Sequence, residues 1–181
     1  MFQTTFVDNE KMSRIITKWR DQFEAQYLAI SDAASPLRRV YICSPCAGAT
    51  EQEVKRNVQS ARFYMWYTFE NLQLIARAPH AYLPILLSDK IPAERALALE
   101  FGLKLLEQSE LLFVCGNRIT RGMRCEISKA SQLNIPITVF HRDLFTDVRK
   151  TVTRNGGNKE LVQLHDCETM LHLSPEQILG V

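Results

Sequence analysis

The sequence lacks any apolar run near the roughly 18 residues that a membrane-spanning helix requires, so no such helix organises it. It also lacks an excess of either charge. Its 22 Lys and Arg stand against 20 Asp and Glu, and a formal charge of +2 is too small to imply nucleic acid or an acidic membrane surface as partner. There is no internal repeat and no low-complexity tract. The five cysteines are an odd number and suit reduced thiols better than a disulfide framework. The first residues, Met1-Phe2-Gln3-Thr4-Thr5, have neither the basic start nor the apolar stretch of a signal peptide. Taken together these absences lead us to expect a soluble, cytoplasmic protein.

What is present suits one domain with a real core and an appended segment: 181 residues, 46% hydrophobic and 23% charged. The most informative stretch is Arg38-Arg39-Val40-Tyr41-Ile42-Cys43-Ser44-Pro45-Cys46-Ala47-Gly48. An apolar run stops at Ser-Pro and Gly, and a long helical pattern follows. That is a buried strand, a turn and a helix, the unit of α/β sheets. Ligands of such sheets bind outside the carboxyl ends of the strands, which places residues 44–50 at the expected substrate site.

Residues 8–30 read as one amphipathic helix, with Met12, Ile15, Ile16, Trp19, Phe23, Tyr27 and Leu28 at three- and four-residue steps. A linker ends in Ser35-Pro36. The periodicity then predicts a strand at about 39–43, a helix at about 50–77 and a short extended segment at 81–86. A further helix follows over about 92–108, with Pro92 at its start. Leu111-Leu112-Phe113-Val114-Cys115 is a continuous apolar strand of the kind buried on both faces. A loop at 116–122, a helix at about 123–133 and a strand at 135–140 complete the alternation. We expect a doubly wound (Rossmann or flavodoxin-like) α/β fold with a mainly parallel sheet of four or five strands, helices on both faces and right-handed crossovers. The expected organisation is a helix and linker over 1–35, a core over 36–145 and an extension over 146–181, where the pattern weakens.

Val40-Tyr41-Ile42-Cys43-Ser44-Pro45 with Gly48, Asn57 with Ala61 and Tyr64, Ala78-Pro79-His80 with Glu94-Arg95, and Gly116 with Arg121-Gly122-Met123-Arg124-Cys125-Glu126-Ile127 and Ala130 resemble one family in order and spacing. They resemble the nucleoside 2-deoxyribosyltransferase-like superfamily, and within it a phage and bacterial branch described as a domain of unknown function. The resemblance covers about 38–140. It implies that Glu126 attacks the anomeric carbon of a deoxyribosyl group. The glycosyl-enzyme so formed is resolved by a second base or by water, the two-step logic of retaining glycosidases. The residues agree with this: Glu126 lies early in a helix after a buried strand, where the macrodipole favours an ionised carboxylate.

The resemblance further implies that Tyr41 donates a hydrogen bond to that glutamate. Ser44, Gly48, Thr120, Gly122 and Met123 would line the ligand cradle, with Asn57 and His80 as polar groups of the cleft. Thr120 stands where nucleotide-cleaving members hold a 5′-phosphate, and Arg118, Arg121 and Arg124 add positive charge to the same loop. Each assignment has a plainer counterpart: a helix-start glutamate, a core tyrosine, solvated arginines. The mechanism needs no cofactor and no metal, and the implied partners are a small nucleoside or nucleotide and further copies of the chain. The helix at 8–30 carries too much aromatic surface to leave in water, which predicts a homodimer or larger homo-oligomer.

One departure bears on activity. The transferases place a base-protonating acid eight residues before an acid that precedes the third strand; if Glu110 is the latter, that position is Gly102. Asp89, Glu94 or His80 could substitute, or the chain could be a nucleotide-binding or sensing module without catalysis. From a third class, Cys43-Ser44-Pro45-Cys46 imitates a thiol redox motif, although the tryptophan expected beside the first cysteine is missing. The cysteines and histidines offer no second pair at metal-site spacing.

Overall fold

The structure is a computed structural model that describes residues 38–88 and 90–165. The expected helix at 8–30, Asp89 and the residues after 165 lie outside the described residues. Five strands, β1 (Arg39–Cys43), β2 (Ile75–Arg77), β3 (Leu111–Val114), β4 (Ile137–Val139) and β5 (Val162–Leu164), form one sheet in the order β2-β1-β3-β4-β5. Every pairing is parallel. This is the doubly wound α/β fold expected from the alternation, with a topological switch point between β1 and β3.

Four helices connect the strands: α1 (Glu51–Leu72), α2 (Pro92–Glu107), α3 (Arg121–Gln132) and α4 (Arg142–Arg154). The alternation of side chains along β1 divides the core in two. Tyr41 and Cys43 join Leu112, Val114, Ile137 and Val139 on the face packed by α2, α3 and α4, through Leu106, Met123, Ile127 and Val148. Val40 and Ile42 join Phe113 and Phe140 on the face packed by α1 through Ala61, Phe63 and Tyr67. Residues Val40, Tyr41, Ile42 and Cys43 have no exposed surface, which is why β1 reads as an unbroken apolar run. Truncating Leu106 or Leu112 to Ala would cost about 2–5 kcal/mol, the range for a buried leucine.

Thr50 and Glu53 explain where α1 begins. Thr50 Oγ1 accepts from Glu53 N–H at 3.1 Å, and Glu53 Oε2 accepts from Ala49 N–H at 2.7 Å, so orphan amides at the helix start are satisfied from both sides. The helix does not run to residue 77 as its periodicity predicts. Gln73 adopts the left-handed conformation at φ 52° and its N–H closes on Phe69 and Thr68 carbonyls. Ile75-Ala76-Arg77 then pairs in register with Arg39, Val40 and Tyr41 as β2. Residues 81–86, expected to be extended, instead fall in 3₁₀ turns, Pro79–Ala81 and Leu83–Ile85, so the second strand lies just before this segment.

The chain past 140 is more regular than its sequence pattern suggests. Helix α4 crosses residue 145 and buries Leu144, Val148, Thr151 and Val152, and β5 adds the edge strand beside β4. On the α1 side, the register pair Thr138 and Gln163 is polar, half-buried and exposed respectively, so this part of the sheet tolerates water. Among the described residues no helix is long and apolar enough to cross a membrane.

Candidate active site

The carboxyl ends of β1 and β3 and the start of α3 converge as the topology requires. Tyr41 Oη, carried by a strand residue with no exposed surface, donates to Glu126 Oε1 at 2.8 Å. The two positions are 85 residues apart in sequence. Glu126 keeps partial surface exposure while its carboxylate points inward to this hydroxyl.

Burial raises the pKa of Glu126, and hydrogen bonds from Cys43 and Tyr41 pull it back down. The macrodipole contributes less than its position suggested. Helix α3 begins at Arg121, which makes Glu126 its sixth residue, beyond the first turn where the dipole acts. The carboxylate is therefore held by the Tyr41 hydroxyl on β1 rather than by the helix start. Burial together with Glu126 pushes the Tyr41 phenol well above its usual range, so Tyr41 stays a donor at any ordinary pH.

Gly102 on α2 closes the other side of Tyr41. A Cβ at this buried position would stand 3.1 Å from Tyr41 Oη and 3.6 Å from Pro79 Cγ. The position flagged in the sequence thus does face the Tyr41 hydroxyl, and it brings no acid there.

His80 follows Pro79 in the same turn. Its Nε2 and Ser44 Oγ are hydrogen bonded at 2.7 Å, the donor being set by the imidazole tautomer. Burial lowers the His80 pKa to about 4, so the ring is neutral at physiological pH. Glu94, a second possible proton carrier, accepts from Ser88 N–H at 2.6 Å and holds the loop before α2.

The remaining predicted residues divide into loop anchors and core. Asn57 Nδ2 donates to the Cys46 and Ala47 carbonyls at 3.1 and 3.2 Å, clamping the loop after β1. Gly48 gives its room to a side chain rather than to a ligand, because a Cβ there would meet Glu53 Cβ at 2.7 Å. Thr120 is the N-cap of α3: Oγ1 accepts from Met123 N–H at 3.3 Å, and Thr120 N–H donates to Met123 Sδ at 3.5 Å. The hydroxyl keeps its own proton to donate. Met123 is buried in the core cluster, and Gly122 is exposed, where a Cβ would make ordinary contact with Thr120 Oγ1 at 3.9 Å.

The arginines are largely committed. Arg118 Nη2 donates to Glu53 Oε1 at 2.6 Å and to the Ala47 carbonyl at 3.2 Å, tying the loop after β3 to the loop after β1. Arg124 Nη1 donates to Thr151 Oγ1 at 3.4 Å, toward α4. Arg121, exposed at the start of α3, makes no such tie among the described residues.

Sequence reasoning missed Cys43. Its thiol is fully buried and reaches the Met123 carbonyl, in the first turn of α3, at 3.9 Å. Burial and the nearby carboxylate push its pKa well above the usual thiol range, the reverse of what an attacking redox thiol requires. Its position two residues after Tyr41 on one strand was the available signal, since such residues share a face. Among the described residues no cluster of His, Cys, Asp or Glu could hold a metal ion.

A family model described as "Domain of unknown function (DUF7768)" matches residues 38–140, more than half of the chain. No curated protein matches. Two of the solved structures that are similar can be described. One is a 2-deoxyribosyltransferase from the psychrotolerant bacterium Bacillus psychrosaccharolyticus, at 16% identity and TM-score 0.43 over 56% of this chain and 71% of that one. The other is a conserved protein from Enterococcus faecalis V583, at 15% identity and TM-score 0.44 over 79% of this chain and 99% of that one.

Proposed function

From a chain that belongs to the DUF7768 family, and from the site it builds, we propose cleavage or transfer at the N-glycosidic bond of a deoxynucleoside or deoxynucleotide. The observation that carries this reading is the 2.8 Å bond from a buried tyrosine to a glutamate at the carboxyl end of a parallel sheet. In the first step Glu126 Oε attacks C1′, a C–O bond forms, and the C–N bond breaks with its electron pair leaving on the base. In the second step water or another base attacks C1′, and the carboxylate is released. Tyr41 holds Glu126 ionised and oriented. Neutral His80, hydrogen bonded to Ser44, accepts the proton that the resolving nucleophile loses.

Ser44 and the hydroxyl of Thr120 are the ligand contacts of this reading, with Asn57, Gly48, Gly122 and Met123 shaping the loops behind them. The phosphate part of the reading rests on Thr120 and Arg121, since Arg118 and Arg124 are otherwise engaged. The test is base release from deoxynucleosides and deoxynucleoside monophosphates, with Glu126→Gln as control. Turnover by wild type and none by the variant supports the reading; equal turnover by both overturns it. A second reading, nucleotide binding without catalysis, draws on Gly102, which supplies no acid beside Tyr41. Thermal stabilisation by these ligands with no base release would select it.

The homo-oligomer belongs to the same proposal. Trp66 and Phe69, 50% and 47% exposed one helical turn apart on α1, add an apolar face to that expected of residues 8–30. Light scattering that finds a monomer at tens of micromolar overturns it.

A further inference from the structure

We infer that Glu53 is a specificity-determining residue: its carboxylate fills the position between the loops after β1 and β3 that a ligand's phosphate would otherwise take, and so selects a deoxynucleoside over its 5′-monophosphate. This rests on the reading of the cleft as a nucleoside site and names the substrate class within it.

The two loops flank the switch point, where ligands of this fold bind. Glu53, in the first turn of α1, reaches both. Its Oε2 accepts from Ala49 N–H at 2.7 Å, and its Oε1 accepts from Arg118 Nη2 at 2.6 Å. A backbone amide and a guanidinium are the donors with which loops hold phosphate oxygens, and here one carboxylate takes both. Arg118 Nη2 also donates to the Ala47 carbonyl at 3.2 Å, which Asn57 Nδ2 holds from α1 at the same distance.

The chain is shaped to seat this carboxylate. A Cβ on Gly48 would stand 2.7 Å from Glu53 Cβ and 2.8 Å from its Cγ, so the absence of a side chain there lets Glu53 fold back over the loop. Across the crevice, a Cβ on Gly116 would meet Pro45 Cδ at 2.8 Å. The loops thus meet at Gly116 and Pro45 as well as through Glu53 and Arg118. A phosphate entering between them would have to part both contacts.

Electrostatics act in the same direction. The hydrogen bonds from Ala49 and Arg118, with the charges of Arg118 and Arg56, hold the Glu53 pKa below the ordinary carboxylate range, so the group is ionised at neutral pH. A 5′-phosphate that reached Arg118 would displace Glu53 and leave two like charges beside one guanidinium. An uncharged deoxynucleoside meets no such repulsion. Both partners are partly solvated, so the pair contributes to discrimination more than to stability. Arg121, exposed at the start of α3, and the Thr120 hydroxyl offer a phosphate a different position, which the experiment separates from this one.

The experiment measures dissociation constants by titration calorimetry on the full chain, with Glu126→Gln throughout so that no ligand is consumed. The ligands are the four common 2′-deoxynucleosides and their 5′-monophosphates. The proteins are this parent, Glu53→Gln, and Glu53→Gln combined with Arg118→Gln. Gln keeps the shape of Glu53 and can still accept from Ala49, so the change removes the charge and leaves the loop. The parent should bind a deoxynucleoside more tightly than its monophosphate. Glu53→Gln should strengthen the monophosphate by about tenfold, the effect of removing one like charge close to it, and leave the deoxynucleoside within about twofold. The added Arg118→Gln should abolish that gain, because the freed guanidinium is what takes the phosphate. A parent that prefers the monophosphate overturns the proposal and moves the phosphate to Thr120 and Arg121. A Glu53→Gln variant that shifts both ligands alike also overturns it, since the effect would then be loop packing, and so does a gain that survives Arg118→Gln. Failure of the underlying reading has its own signature: none of the proteins binds any of the ligands, and both inferences fall together.

Discussion

Tyr41 Oη lies between a carboxylate and a glycine: 2.8 Å from Glu126 Oε1, and 3.1 Å from where a Cβ would stand on Gly102. The first contact uses the hydroxyl's only proton. The second shows that α2 approaches too closely for a side chain to enter without displacing that hydroxyl. A buried phenol needs a partner, and here the partner is a group that could act as nucleophile.

Replacing Glu126 by Gln should abolish base release, by on the order of a thousandfold or more, without lowering the melting temperature at neutral pH. Burial raises the Glu126 pKa in the folded state, so the stability it contributes is fully present below the ordinary carboxylate range. That stability is lost as pH rises through the raised value. The neutral amide has no such dependence. Thermal melts of the pair should therefore show wild type gaining on the variant as pH is lowered; a constant difference would mean that Glu126 is not perturbed.

Tyr41→Phe should keep the fold and reduce kcat by about 10- to 100-fold. The lost bond is to a charged acceptor, worth about 1.5–3 kcal/mol, and each 1.4 kcal/mol is a factor of ten. Unchanged kcat with normal melting would remove Tyr41 from the mechanism.

Much of this arrangement was legible in the sequence. The strands around Tyr41 and Leu112 are buried on both faces and therefore read as apolar runs, and Pro92 marks the start of α2. The pairing of Tyr41 with Glu126 came from resemblance, since nothing in the spacing of two residues on separate elements predicts that they touch. The end of α1 was hidden because Gln73 takes the left-handed turn that glycine usually takes, and Leu72 and Ile75 continue a helical spacing into a three-residue strand. Helix α4 was hidden because its one apolar stripe, Leu144, Val148 and Val152, is narrow among charged residues. Arg118 was read as free charge because its partner, Glu53, lies 65 positions away.

The cysteines should differ sharply in reactivity. Cys43 and Cys115 are buried with thiols raised above the usual range by burial, whereas Cys125 is exposed. An alkylating reagent at pH 8 should label Cys125 first and leave Cys43 and Cys115 until the protein unfolds. Rapid native labelling of Cys43, read by peptide mass spectrometry, would restore the redox alternative.

His80 gives a pH signature at the opposite sign to Glu126. Its folded pKa is depressed to about 4 from an ordinary value near 6.5, so it contributes stability that is fully present above the ordinary value. That stability is lost as pH falls through the interval between them, because the unfolded chain takes up a proton that the folded chain refuses. The stability advantage of wild type over His80→Gln should accordingly shrink between about pH 6.5 and pH 4. A histidine NMR titration with a midpoint near 6.5 would contradict the burial and remove His80 as the neutral base of the second step.

Gly102→Ala separates site from stability. In a helix interior, alanine is favoured over glycine by about 1 kcal/mol, so the backbone gains from the change. The new methyl would stand 3.1 Å from Tyr41 Oη, closer than ordinary contact, and either Tyr41 or α2 must give by a few tenths of an ångström. Tyr41 is packed in the core on every side, while its hydroxyl holds Glu126 through one hydrogen bond that weakens steeply as it bends or lengthens. The displacement should thus be concentrated in that bond. We expect a melting temperature within a few degrees of wild type, a Glu126 midpoint raised by loss of its donor, and kcat reduced toward that of Tyr41→Phe. Tyr41→Phe combined with Gly102→Ala should then be no worse than Tyr41→Phe alone, because the hydroxyl that the methyl would strike is gone. An additive loss in the double variant would show that Gly102 acts on something other than Tyr41.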